Sequence, residues 1–307
     1  MALLTLLRNM AYNETDRKDE TMHISGHTKL AGFLGHPSKH SLSPAMHNAA
    51  YQALGIDMAY LAFDVDQDAI GDAIQAVRTL QMVGVNVSMP NKTAVMDHLD
   101  RISEEAKLAG AVNTVVNQNG LLTGYNTDLT GAMAALREAG VGPAGKRVMV
   151  FGAGGAGTAI LAGFTQAGAA QIKVGVRGTS LEKYGPWVET LRQTTGADLE
   201  IFPLEDTGTL QDYLNITDIL VNATNVGMGP LEGQSILPDA SYLPASLAVM
   251  DVIYQPAETE LLKQAKAAGC AIAINGKAML LHQGADAFRL MTGQEMPLDV
   301  VRKAWEG

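Results

Sequence analysis

The fold is decided by Arg147-Val148-Met149-Val150-Phe151, then Gly152-Ala153-Gly154-Gly155-Ala156-Gly157, then Thr158 to Gln166. The first five residues read as a strand covered on both faces. The run from Thr158 reads as a helix. The six residues between satisfy G-x-G-x-x-G. A chain with 32 glycines produces that pattern by chance, so the strand–turn–helix setting is what gives it meaning. Glycines let the chain turn tightly and bring backbone N–H groups against a pyrophosphate at a helix N-terminus. A plain tight turn between strand and helix is the alternative reading.

Towards the C-terminus, strand-like segments continue at Gln171–Val176, Leu199–Phe202, Asp218–Ala223, Leu247–Tyr254 and Ala271–Ile274, with helical stretches between. Six such strands suit a doubly wound dinucleotide-binding sheet. An NAD site usually carries an acid at the end of the second strand, on the adenosine ribose. Here that place reads Val176-Arg177-Gly178-Thr179-Ser180, with no acid. Arg177 and the hydroxyls of Thr179 and Ser180 suit a 2′-phosphate, which favours NADP over NAD. Arg177 stacked on adenine would serve either cofactor, and a solvated loop arginine is the plain alternative.

Towards the N-terminus, Lys29–Gly35, Ala59–Val65 and Val83–Ser88 read as strands. Pro44–Leu54, Asp68–Leu80 and Pro90–Leu99 read as helices, the first with Ser43 as N-cap, Pro44 at N1 and Gly55 as its stop. Thr114–Asn117 and Leu121–Tyr125 flank Asn119-Gly120, a strong hairpin signal. After Asp128 comes a helical stretch to Glu138, before a Gly/Pro-rich junction at Gly140–Gly145. This alternation predicts an α/β protein with mainly parallel sheets. The helical tail from Gly276 has no strand to feed, which suits a return to the first domain.

The chain has 307 residues, 47% hydrophobic and 18% charged, enough for about two domains. A net charge of −10 argues against a general nucleic-acid surface, which needs a basic face. No segment reaches the roughly 18 apolar residues of a membrane helix. Met1–Leu7 is apolar but short, lacks a basic flank and precedes a polar run, so it does not read as a signal peptide. It reads as an N-terminal extension, with Met22 an alternative start and the cytoplasm the expected location. The one cysteine, Cys270, excludes an intrachain disulfide and reads as a buried thiol.

Two charged residues stand out. In Val85-Asn86-Val87-Ser88-Met89-Pro90-Asn91-Lys92, a helix starting at Pro90 puts Lys92 in its first turn, where the macrodipole disfavours a cation. A lysine so placed suits a chemical task, although a surface lysine is the plainer reading. Asp128, in Gly124-Tyr125-Asn126-Thr127-Asp128, reads either as a helix N-cap or as a functional carboxylate. In His40-Ser41-Leu42-Ser43-Pro44, capping accounts for Ser43 and leaves Ser41 unexplained. His36, His40 and His47 lack acids at metal-ligand spacing and read as loop and helix-surface histidines, so no metal site is expected.

Taken together, these segments resemble the shikimate dehydrogenase family over nearly everything from Lys29 to Val301. The resemblance rests on Gly35-His36-Pro37, His40–Pro44, His47-Asn48, Asn86–Lys92, Gly110-Ala111-Val112-Asn113-Thr114, Gly124–Asp128, Gly152–Gly157, and Asn275-Gly276 with Met279-Leu280 and Gln283. Val87–Lys92 and Asn222-Ala223-Thr224-Asn225-Val226-Gly227-Met228 look closest to its quinate/shikimate dehydrogenase branch.

The resemblance implies Lys92 and Asp128 as the catalytic pair. It implies Ser41, Ser43 and Tyr254 on a substrate carboxylate, Ser88, Asn113 and Gln283 on ring hydroxyls, and Tyr60 as an additional pocket residue. It implies cofactor contacts at Gly152, Ala153, Gly154, Gly155, Ala156, Arg177, Thr179, Thr224, Asn225 and Gly276. The implied layout is an N-terminal extension (1–28), an α/β substrate domain (29–128, completed by 276–307) and a Rossmann-like domain (129–275) inserted between. Two positions depart from the family pattern: Ser88 stands where Thr is common, leaving room for the extra hydroxyl of quinate, and Thr179 stands where the quinate branch can carry an acid.

The implied chemistry is reversible NAD(P)-dependent oxidation of shikimate or quinate to the 3-dehydro ketone, in aromatic amino acid (chorismate) biosynthesis or quinate use, by a monomer or homodimer. Lys92 would exchange the hydroxyl proton, and Asp128 would align lysine and substrate. Two other classes stay open at this stage. One is another Rossmann enzyme with a catalytic lysine, such as a methylene-tetrahydrofolate dehydrogenase. The other is a non-catalytic dinucleotide-binding regulator.

Overall fold

A computed structural model describes residues 23–306. The proposed alternative start at Met22 and most of the N-terminal extension lie outside the described residues. The first half contains β1 (Lys29–Gly35), α1 (Ser43–Leu54), β2 (Met58–Asp64), α2 (Ile70–Thr79), β3 (Gly84–Val87), a 3-10 turn (Ala94–His98), β4 (Arg101–Ile102), α3 (Glu104–Ala109), β5 (Thr114–Gln118), β6 (Leu121–Tyr125) and α4 (Asp128–Glu138). The second half contains β7 (Arg147–Phe151), α5 (Gly155–Gln166), β8 (Gln171–Val176), α6 (Leu181–Thr195), β9 (Leu199–Pro203), α7 (Thr207–Ile216), β10 (Ile219–Asn222), β11 (Ala248–Asp251), α8 (Glu260–Ala267) and β12 (Ile272–Ile274). Helices α9 (Lys277–Thr292) and α10 (Leu298–Glu306) close the chain.

Two six-stranded sheets result. The second has the order β12-β11-β10-β7-β8-β9 and is parallel throughout. Counted from β7, this is the doubly wound order, with its switch point between β7 and β10. Ligands bind such sheets in the crevice beyond the strand ends at that point. Both faces are covered by apolar side chains: Ile160, Leu161 and Phe164 of α5 on one, Leu210, Leu214 and Leu261 on the other. That double covering is why its strands are continuous apolar runs.

The first sheet, β2-β1-β3-β5-β6-β4, is mixed, with three parallel and two antiparallel pairings. β3–β5 and β5–β6 pair antiparallel. The cause is the hairpin: Asn119 and Gly120 take φ of 56° and 91°, the positive values that a tight two-residue turn needs. α9 and α10 pack mainly here, although Met279 at the start of α9 joins the core of the second sheet. Leu281, Phe288, Met291 and Val301 share a core with Ala31, Met46 and Tyr51. Glycine at 131 allows this return, since a Cβ there would stand 2.7 Å from Gln283 Cβ and 2.9 Å from the Met279 carbonyl oxygen.

Several local expectations change. No helix starts at Pro90; Ser88–Thr93 is a run of turns before the 3-10 segment. The backbone there is committed sideways, with the Lys92 carbonyl accepting from Val112 N–H at 2.8 Å. Lys92 therefore does not sit in the first turn of a helix. α5 begins at Gly155, three residues earlier than expected. Ser43 does not cap α1; its own N–H donates to Ser41 Oγ at 3.3 Å. Asp128 is the first helical residue of α4, after Thr127, and caps nothing. His47 is not on the helix surface but wholly buried, stacked on Tyr60 with ring centroids 4.3 Å apart. Cys270 is half-buried, its thiol donating to the Pro244 carbonyl at 3.5 Å.

Candidate active site

The dinucleotide side is built largely from backbone. Gly152 leaves β7 with φ of 92°, and a Cβ there would stand 2.8 Å from Thr224 Cγ2. Gly157 has no room for a side chain: a Cβ would meet the Gly152 carbonyl oxygen at 2.4 Å. Gly154, by contrast, faces open space. No side chain caps α5, so its first N–H groups remain free for an anion. The glycine loop borders a cleft of about 830 Å³. Gly152, Ala153, Gly154, Gly155, Ala156, Arg177, Thr224, Asn225 and Tyr254 all border it. Across from them stand His40 and Met89 of the first half, so the cleft lies between the two sheets.

A buried pair fixes this side's far wall. Asp251, at the end of β11, has no exposure and accepts from Asn222 Nδ2 (3.1 Å), Ile253 N–H (3.0 Å) and Thr259 Oγ1 (2.7 Å). Burial pushes its carboxyl above the ordinary value, while these donors pull it back. Asn222 Oδ1 in turn accepts from the Thr224 N–H and hydroxyl. One acid thereby holds both the Thr224–Asn225 loop and the segment carrying Tyr254. A lone Asp closing the apolar run Ala248-Val249-Met250 was the sequence signal for it.

Lys92 and Asp128 meet where the two halves face each other. Lys92 Nζ lies 2.5 Å from Asp128 Oδ2, and the side chains are 15% and 8% exposed. The lysine stem passes against the glycine loop: a Cβ on Gly155 would stand 3.3 Å from Lys92 Cδ. Asp128 is set by a laced pair of loops. Its N–H donates to Asn126 Oδ1 (3.0 Å), Asn126 Nδ2 donates to the Ala111 carbonyl (2.8 Å), and Thr127 N–H donates to Asn113 Oδ1 (2.8 Å).

Behind the pair runs a chain of side-chain hydrogen bonds. Tyr60, fully buried and hydrogen-bonded to Ser43, donates to Asn86 Oδ1 at 2.7 Å. Asn86 Nδ2 donates to Thr114 Oγ1 at 3.1 Å, and Thr114 to Asn113 Oδ1 at 3.0 Å. The Thr127 hydroxyl lies 3.2 Å from Asn113 Oδ1 and 3.3 Å from Gln283 Oε1. Asn113 Nδ2 is left buried without a partner, a donor that a ligand oxygen would satisfy. Of the residues with an expected role, Ser43, Tyr60, Asn113, Gln283 and Asp128 belong to one connected region. Ser41 touches it through Ser43 N–H. Ser88 follows β3 and packs near Gly35, where a Cβ would stand 3.1 Å from its own.

Two expected cofactor residues fall elsewhere. Thr179 is exposed and does not border the cleft, whereas Ser180 does. Gly276 does not border it either; its missing side chain is explained by packing, since a Cβ would stand 1.9 Å from the Val252 carbonyl oxygen. Asn86, Asn126 and Thr127 carried no role in the sequence reading, although all three lie inside the motifs quoted there. Among the described residues no cluster of His, Cys, Asp and Glu could hold a metal ion, and no helix is long and apolar enough to cross a membrane.

Comparison with known proteins gives the same assignment along the whole described chain. Residues 33–115 match the shikimate dehydrogenase substrate binding domain, and residues 278–304 the shikimate 5'-dehydrogenase C-terminal domain. A shikimate dehydrogenase (NADP(+)) of Listeria monocytogenes is 44% identical over 287 residues, covering 92% of this chain and 97% of the relative. A crystal structure of shikimate 5-dehydrogenase from Listeria monocytogenes, in complex with shikimate and NAD, superposes with a TM-score of 0.87 at 44% identity, over 92% of this chain and 98% of that one. Quinate dehydrogenase from Corynebacterium glutamicum, in complex with NAD, gives 0.81 at 32% identity, over 91% and 99%. With two such sheets, a paired lysine and aspartate between them and relatives at this identity over nearly its full length, the chain belongs to the shikimate dehydrogenase family.

Proposed function

We propose that this chain catalyses the reversible oxidation of the ring secondary alcohol of shikimate, and of quinate, to the 3-dehydro ketone. The observation that carries this reading is the Lys92–Asp128 pair, set against Gly155 at the mouth of the glycine loop. A nicotinamide bound in the cleft supplies the hydride acceptor. The free first-turn amides of α5 and open space at Gly154 fit its pyrophosphate. NADP is favoured, since Arg177 is exposed and forms no ion pair among the described residues, and NAD is the second choice.

Lys92 takes the proton of the reacting hydroxyl and stabilises the charge that develops on that oxygen. Asp128 orients the ammonium and accepts from the substrate. Asn113, its Oδ1 already committed, offers Nδ2 to a ring hydroxyl, and Gln283 and Ser88 complete that side. Ser41, Ser43 and Tyr254 hold the carboxylate, while Tyr60 acts through Ser43 and Asn86 because its hydroxyl is wholly buried. The reading of a methylene-tetrahydrofolate dehydrogenase or a silent regulator gains no support from the relatives described above. The same proposal places the chain in the cytoplasm, as a monomer or a homodimer acting on a small molecule.

Initial rates with shikimate and with quinate, each with NAD and with NADP, test it through the absorbance of the reduced nicotinamide. Turnover of at least one ring alcohol is expected. No turnover in any of the four combinations overturns the reading.

A further inference from the structure

An acid, Glu205, stands beside the loop that follows β8, just past the end of the neighbouring strand β9. Val176 of β8 pairs with Pro203 of β9, and Leu204 N–H donates to the Val176 carbonyl at 2.8 Å. The two chains thus leave the sheet side by side. Two residues on, Glu205 Oε2 accepts from Gly178 N–H at 2.9 Å. That amide belongs to the loop of Arg177 and Ser180, both of which border the cleft, as does Leu204. In a doubly wound sheet this loop is where the adenosine ribose is read.

We propose that Glu205 is a cofactor-discriminating residue that favours a free ribose 2′-hydroxyl over a 2′-phosphate. Two effects act in the same direction. Its carboxylate holds the Gly178 N–H, which an incoming phosphate would otherwise accept from. It also places an acceptor and a negative charge at Gly178, the residue after the loop's cation, Arg177. A hydroxyl can donate to that carboxylate, whereas a phosphate is repelled by it. Glu205 and Arg177 therefore oppose each other, and the preference between NAD and NADP is their balance. The inference rests on the reading of the glycine loop as a dinucleotide cradle.

The test is calorimetric titration of the full-length protein with 5′-AMP and with 2′,5′-ADP, which differ only in the 2′-phosphate. Each is measured in the unaltered chain, Glu205→Gln and Arg177→Ala. Glu205→Gln should tighten 2′,5′-ADP by about tenfold relative to 5′-AMP, and the ratio of kcat/KM for NADP over NAD should rise with it. Arg177→Ala should move the binding ratio the opposite way. A ratio unchanged within about twofold in a folded Glu205→Gln protein overturns the proposal, as does equal weakening of both ligands, which would make Glu205 a loop brace only. The titrations need no turnover. A shifted binding ratio in a protein that oxidises neither shikimate nor quinate would leave this inference standing and sink the assigned reaction.

Discussion

The two sheets offer a ligand different surroundings. Beyond the parallel sheet, the lining is mostly a matter of backbone: glycines with no room for a side chain, free helix N–H groups, and a loop brought close to the cleft. Beside the mixed sheet it is a matter of side chains, linked from Ser43 through Tyr60, Asn86, Thr114 and Asn113 to Thr127 and Gln283. A backbone cradle suits a ligand whose phosphates accept from any N–H. A side-chain lattice suits a ring whose hydroxyls must be told apart, because each buried donor left unmatched costs about 1–3 kcal/mol. The difference teaches where each half is fragile: the first to added volume, the second to a lost polar atom.

The largest effect should come where the halves meet. Lys92→Ala should lower kcat by at least about 10²-fold with little change in substrate affinity, because proton transfer by a positioned group contributes about that much. Steady-state kinetics beside direct substrate binding check it, and near-normal turnover would remove Lys92 from the chemistry.

Added volume on the backbone side comes next. Gly157→Ala places a Cβ against the Gly152 carbonyl oxygen, which cannot swing aside, and should cost about 1–3 kcal/mol of stability. KM for the dinucleotide should rise more than KM for the ring substrate. The midpoint of urea unfolding and the two KM values measure this; an equal rise in both would erase the contrast between the halves.

A smaller effect sharpens the side-chain half. Burial holds His47 neutral and pushes its pKa from 6.5 down to about 3. Between those values the unfolded chain binds a proton that the folded chain refuses, so stability falls as pH falls through that window. At about 1.4 kcal/mol per pH unit, the loss is roughly 2 kcal/mol by pH 5. Unfolding curves at pH 7 and pH 5 should show it, and His47→Leu should remove that part of the difference. A variant as pH-sensitive as the unaltered protein would mean that other groups carry the acid response.

Much of this was legible in the residues, and unevenly so. β7 and β8 were read to the residue, because strands covered on both faces are continuous apolar runs with abrupt ends. The glycine loop and the Asn119-Gly120 turn were legible because backbone conformation is written locally. Pro90 misled, since proline opens helices and turns alike, and what decides here is Val112 N–H pairing with the Lys92 carbonyl from twenty residues away. His47 misled because its residue type outweighed its spacing, four residues after the buried Ser43 and four before the buried Tyr51. Glu205 could not be read as a ribose acid at all. Its partner, Gly178, is 27 residues distant and reached only through the pairing of β8 with β9. The pairing of Lys92 with Asp128 was suggested only by a set of motifs; the contact itself is a property of the fold.

The contact between Gly155 and the stem of Lys92 bears on how such a protein can be recombined. The glycine loop also stands against the stem of Lys92, with 3.3 Å between a Cβ at position 155 and Lys92 Cδ. The two halves are therefore not interchangeable parts. A chimera that took its second half from a relative with a larger residue at position 155 would keep the glycine loop and displace the Lys92 side chain. Exchange between such proteins is safest when Gly155 and Lys92 travel together.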